Sequence, residues 1–132
     1  MKDSKLPLPR LWRHKFLCAF HGITVGVIGH SSFKVHFLAG VVVLVLAIFF
    51  CCRPLEWAIL IGCIGAVLTS ELFNSALETM IRQFPQENQK TYYPVLDIAA
   101  GAVLVASFFS GIIACFLVLP KLFAWIGFTY FQ

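Results

Sequence analysis

Charge is scarce in this chain. Only 12% of its 132 residues are Asp, Glu, Lys or Arg, and just six are acidic. A soluble globular domain carries roughly 25% charged residues, so that class is excluded. There is no long linker, low-complexity tract or internal repeat, which excludes a second soluble domain and a solenoid. The five cysteines make an odd count without zinc-ligand spacing and sit mostly in apolar segments. They read as neither a disulfide framework nor a metal site, and vicinal Cys51-Cys52 reads as lipid-facing packing rather than a redox pair. No small-residue cleavage site follows the N-terminal apolar run, so a cleaved signal peptide is not expected. Nucleic-acid motifs are missing as well. The net charge is +4, and six of the ten basic residues, Lys2, Lys5, Arg10, Arg13, Lys15 and Lys34, precede the first apolar segment. That bias points to anionic lipid headgroups, not to nucleic acid.

What the chain has in abundance is apolar surface, 60% of residues, with a mean hydropathy of +0.88. Three segments, 35–52, 55–80 and 95–119, are long enough to cross a bilayer core of ~30 Å. Residues 8–27 carry Leu11, Trp12, Phe16 and Phe20 on one side and Arg10, Arg13, His14 and His21 on the other. A basic amphipathic helix with Trp suits the headgroup boundary. The expected fold is therefore an all-α membrane protein, one membrane-embedded unit over residues 1–132. It has an N-terminal interfacial amphipathic helix, three transmembrane helices and an aromatic interfacial tail at 121–132.

The short link at Cys51–Glu56 makes the first two spans an antiparallel hairpin, and the cation bias places the N-terminus in the cytoplasm. Small residues recur every four positions at Gly62, Ala66, Ser70 and Asn74, and again at Ala102, Ala106, Ser110 and Ala114. Such seams let helices approach closely in lipid. A bundle of three spans is thin, so an oligomer is expected.

The polar residues inside these spans concentrate in one stretch, Ser70-Glu71-Leu72-Phe73-Asn74-Ser75-Ala76-Leu77-Glu78. At about 100° per residue, Glu71, Asn74, Ser75 and Glu78 share one helix face. A carboxylate at membrane depth costs at least ~2.5–3.5 kcal/mol and usually faces a protein or water-lined interior. The two carboxylates lie roughly 10 Å apart along the axis, too far to share one metal ion directly. One could hold a metal while the other acts as a base, with Asn74 orienting a substrate. A polar seam, each Glu paired with a cation of a neighbouring helix, is the alternative.

Other polar residues are ambiguous by position. His30 and His36 are six apart and do not form an i,i+4 metal pair. Asp97 is expected in the first turn of the third span, after Pro94, where favourable interaction with a helix N-terminus and a site role both stay open.

The octet Glu71-Leu72-Phe73-Asn74-Ser75-Ala76-Leu77-Glu78 closely resembles the signature of the small bacterial integral-membrane lipid kinases, the diacylglycerol kinase and undecaprenol kinase family. Asp97-Ile98-Ala99-Ala100-Gly101-Ala102-Val103-Leu104 is similar to that family's third-helix segment. Phe33-Lys34-Val35-His36 is similar to a run in its undecaprenol kinase branch. The resemblance implies a homotrimer with shared sites at the cytoplasmic surface of the bacterial inner membrane. It implies transfer of the ATP γ-phosphoryl group to a lipid hydroxyl with Mg²⁺. By position, Glu71 corresponds to the general base, Asn74 to a polar site residue and Glu78 to a metal ligand. Asp97 and Glu87 correspond to nucleotide-side residues, and Ser75 is expected to join them in nucleotide binding. His30 stands at a second metal position, where the family usually has Glu.

Three positions depart from the pattern: His30, Arg82 in place of an acid, and Leu96 in place of a Lys. A nitrogen ligand at His30 suits Mn²⁺ better than Mg²⁺. The expected function is ATP-dependent phosphorylation of a membrane lipid alcohol, diacylglycerol or undecaprenol. The departures leave two alternatives: a catalytically weak kinase-fold subunit that binds lipid or nucleotide, and a small proton-coupled transporter.

Overall fold

The computed structural model describes residues 8–29 and 31–130, with side chains described for 12–29 and 31–127. His30, the N-terminal Lys2 and Lys5, and the aromatic side chains at 128–131 lie outside the described residues. All the described elements are helical. They are α1 (Leu8–Gly29), α2 (Ser31–Phe49), α3 (Pro54–Ile81), the short α4 (Gln86–Gln89), a 3₁₀ turn (Lys90–Tyr92) and α5 (Tyr93–Tyr130). Three stretches of helix, starting at Ser31, Pro54 and Gln86, are long and apolar enough to cross a membrane. The expected order of an N-terminal helix and three spans holds.

α2 and α3 form the hairpin, and its turn closes α2 with a left-handed residue. Cys51 has φ 47°. Its N–H donates to Ile48 O at 3.1 Å, and the N–H of Cys52 to Ala47 O at 3.0 Å. This pair of bonds is a Schellman closure, a role usually given to Gly. The vicinal cysteines thus build a turn, and both are free thiols. α3 then starts with Pro54 in its first turn, where the missing N–H costs nothing. Glu56 reaches back to accept the Arg53 N–H at 2.6 Å.

Two glycines set how closely the helices pack. A Cβ on Gly40 of α2 would stand 3.1 Å from Ile64 Cγ2 of α3, and one on Gly26 of α1 would stand 2.7 Å from Leu72 Cδ2. α5 packs along α3, where Ser110 Oγ donates to Cys63 O at 3.3 Å. Ser110 and Ala114 turn toward the other helices, lining a cavity among α2, α3 and α5, whereas Gly62 and Ala66 are exposed. The small-residue seam of α3 therefore faces away from its own bundle over that half.

α5 departs from the sequence expectation. Its helix runs through Pro120 to Tyr130 with no separate tail. Proline removes one helical hydrogen bond and crowds the preceding turn, yet here the segment beyond it is held from the side. Lys121 Nζ donates to Glu56 Oε2 at 2.6 Å, and the Trp125 ring meets Phe49 edge-on at 5.9 Å. Both contacts join the end of α5 to the hairpin turn. The polar connection also has more structure than its composition suggests. Gln89 Nε2 donates to Phe84 O at 2.8 Å, and Phe84 stacks on Tyr92 at 5.0 Å.

Candidate active site

The polar stripe predicted on α3 lies where that helix is covered from two sides, by α1 and by α5. Its three central members are buried: Glu71 is 2% exposed, Ser75 3% and Asn74 8%. Among the described residues they are the only buried polar side chains. The helical period accounts for the grouping, since 71, 74, 75 and 78 follow the i, i+3, i+4, i+7 rule.

The members are tied together at the end nearer the connection. Asn74 Nδ2 donates to Glu78 Oε1 at 3.0 Å. Arg82 Nη2 stands 3.6 Å from Glu78 Oε2, with the Arg side chain 74% exposed and the Glu 30%. Deeper in the stripe, polar capacity is left open. Asn74 Oδ1 and Ser75 Oγ are buried with no hydrogen-bond partner. No hydrogen bond to the Glu71 carboxylate is present among the described residues. Buried polar groups are paired in the great majority of cases, so unpaired ones call for an explanation.

The two orphaned atoms belong to residues on opposite grooves. Ser75 lines a groove between α1 and α3, with Gly26 and Leu72 in its floor and His21, Thr79 and Gln83 along its length. Asn74 lines a groove between α3 and α5, with Ser70, Leu77, Ile98 and Ala102. The stripe thus has access on two sides. One turn further toward the hairpin turn, the cavity of about 150 Å³ begins, lined by His36, Cys63, Val67 and Ser107 among others. Ser107 Oγ is also buried without a partner.

The remaining expected residues are placed apart. Glu87 and Asp97 are exposed, and no hydrogen bond or ion pair among the described residues joins either to the stripe. Asp97 lies in the second turn of α5, because that helix begins at Tyr93. The expected first-turn position is corrected accordingly. His30 lies outside the described residues. Sequence reasoning missed Gly26 and Gly40, where the Leu72 and Ile64 side chains come close to the α1 and α2 backbones. It also missed Ser107, whose neighbours Ala106 and Ser110 had suggested only packing.

The oxygen chemistry of the stripe fits Mg²⁺. No group of three or more His, Cys, Asp and Glu side chains converges among the described residues. Mg²⁺ seldom uses such a cage; it takes one or two carboxylates, water and substrate phosphate oxygens. Glu78 supplies one carboxylate of that kind, and the buried, unpaired Asn74 Oδ1 is a further oxygen donor on the residue that holds it.

Over 121 residues the chain is 31% identical to undecaprenol kinase of Bacillus subtilis (strain 168), covering 92% of this chain and 98% of that relative. No solved structure matches. Residues 17–118, which include the whole stripe and most of the bundle, match the prokaryotic diacylglycerol kinase family. The Glu-Asn-Ser-Glu face on the middle of three spans is carried by a chain that belongs to this family of lipid kinases.

Proposed function

We propose that the protein transfers the γ-phosphoryl group of ATP to the hydroxyl of a membrane lipid alcohol, diacylglycerol or undecaprenol. It works as a homotrimer at the cytoplasmic face of a bacterial inner membrane, with its N-terminus in the cytoplasm. The name of the B. subtilis relative favours undecaprenol. The single observation that carries the reading is the buried Glu71, a carboxylate with no hydrogen bond among the described residues, on a face with two further open polar atoms.

In this mechanism the lipid hydroxyl lies against Glu71. The carboxylate accepts the hydroxyl proton as the oxygen forms its bond to the γ-phosphorus. The bond from that phosphorus to the bridging oxygen breaks, and ADP leaves with the electron pair. General-base help of this kind contributes about 10²–10⁴-fold. Asn74 positions the reacting groups with Oδ1 and holds Glu78 in place with Nδ2. Glu78 and Asn74 would hold Mg²⁺, which neutralises phosphate charge when bound. Ser75, Glu87 and Asp97 serve the nucleotide side. The exposed Gly62 and Ala66 suit close packing against another copy.

The deciding experiment supplies radiolabelled ATP and Mg²⁺ to the purified protein with a panel of lipid alcohols. Label in undecaprenyl phosphate or phosphatidic acid is expected. If no lipid is labelled while the protein is folded and binds ATP, the kinase reading fails and the binding subunit takes its place.

A further inference from the structure

We infer that Arg82 is a phosphate-binding residue, stored on Glu78 and released to the nucleotide when ATP arrives. The inference rests on the kinase reading above and assigns a role within that same site.

Arg82 extends the stripe by one turn, because it is four residues beyond Glu78 and seven beyond Ser75. It caps α3, its own N–H donating to Glu78 O at 3.0 Å. The guanidinium stands 3.6 Å from Glu78 Oε2 and is 74% exposed. That separation is too long for a hydrogen bond, and exposed ion pairs of this spacing hold weakly. Glu78 keeps its geometry without it, because Asn74 Nδ2 fixes the other carboxylate oxygen at 3.0 Å. The guanidinium is thus loosely held and free to turn toward solvent.

Phosphoryl transfer depends on positioning and charge neutralisation more than on covalent help from the protein. A phosphate chain laid along the stripe with its reacting end at Glu71 passes Glu78 and then Arg82. The reacting phosphorus sits deepest, and Arg82 meets the phosphates that remain on ADP. Arg presents parallel donors that match phosphate oxygens, and such bidentate bonds are stronger than a loose surface pair. The exchange of partners is therefore favourable. It also takes a cation away from Glu78 at the moment a metal-nucleotide complex needs a carboxylate. In the resting chain, Arg82 offsets the Glu78 charge that would otherwise repel an anionic ligand.

Equilibrium binding in detergent, without lipid and with no turnover, tests the assignment. The probes are ATP, ADP and adenosine, each with Mg²⁺ and with EDTA. Arg82→Gln is expected to weaken ATP and ADP binding by about tenfold or more, the range for a hydrogen bond to a charged group, and to leave adenosine unchanged. The loss should persist in EDTA, and Arg82→Lys should recover only part of it. Glu78→Gln, which releases the guanidinium, should bind metal-free ATP at least as tightly as the unaltered protein. Equal ATP affinity in the unaltered and Arg82→Gln proteins overturns the assignment while the kinase reading stands. If the unaltered protein binds neither ATP nor ADP, both readings fail together.

Discussion

The two halves of α3 treat a carboxylate in opposite ways. Near the hairpin turn, Glu56 is fully engaged. One of its oxygens accepts both the Arg53 N–H and the Lys121 ammonium at 2.6 Å, and the Arg53 Nε lies 3.8 Å from the other. Four turns along, Glu71 is more deeply buried and accepts no hydrogen bond among the described residues. The first arrangement follows the rule that a desolvated charge needs a partner. The second breaks it, and it breaks it beside two more unpaired atoms, Asn74 Oδ1 and Ser75 Oγ. One helix thus staples one carboxylate and leaves the next without a partner: Glu56 holds the ends of the bundle together, and in the proposed mechanism Glu71 is the one that meets the lipid hydroxyl.

The comparison breaks most sharply at Glu71. Glu71→Gln keeps the side-chain shape and removes the base, so lipid phosphate formation should fall by about 10²–10⁴-fold. Assembly and thermal stability should be retained, since Gln fills the same space and Glu71 accepts no hydrogen bond among the described residues. Turnover and unfolding of the same preparation check both parts.

Asn74→Ala comes next. It removes the donor that orients Glu78 and the open carbonyl oxygen together. Losing a partner of a metal ligand typically costs about 10–100-fold in metal affinity or activity. A titration with Mg²⁺ should show the lost rate partly restored at high metal, and Glu78→Gln should raise the Mg²⁺ requirement in the same way. An unchanged Mg²⁺ midpoint in both variants counts against a metal role for this end of the stripe.

A smaller effect is expected at Gly26, where any Cβ meets Leu72 at 2.7 Å. Gly26→Val should push α1 off α3 and open the groove beside Ser75. The expected result is a several-fold rise in KM for the lipid with kcat less affected. Ala66→Leu probes the exposed seam of α3 and should weaken subunit association, read by cross-linking in detergent.

The smallest effect on chemistry belongs to Glu56. Glu56→Gln should leave turnover near that of the unaltered protein and lower the temperature of half-inactivation, because Lys121 loses its partner. Lys121→Met should lower it as well, since it leaves the Glu56 carboxylate without its cation.

Much of this arrangement was legible in the sequence because it is local. Apolar runs gave three spans, and the spacing of Glu71, Asn74, Ser75 and Glu78 gave their shared face. The features that escaped depend on distant residues. Lys121 and Glu56 are 65 positions apart, so no window around Pro120 shows why the helix continues past it. Gly26 and Gly40 look like ordinary small residues until Leu72 and Ile64 are set against them. Cys51 gave no hint of its left-handed turn, a conformation that favours Gly or Asn. Asp97 was displaced from its expected first-turn position because the helix starts before Pro94, at Tyr93. For Glu87 and Asp97, proximity in sequence pattern does not bring them to the stripe within one chain.

The central claim is that Glu71 is an open carboxylate held for catalysis while Glu56 is a closed one held for stability. The most direct measurement sets Glu71→Gln and Glu56→Gln side by side. Lipid phosphate formation from radiolabelled ATP and thermal half-inactivation are read from the same membranes. The account predicts a crossed result: Glu71→Gln loses turnover and keeps stability, and Glu56→Gln keeps turnover and loses stability. Glu71→Gln that remains active but unfolds more easily would contradict it, because Glu71 would then be a structural carboxylate like Glu56.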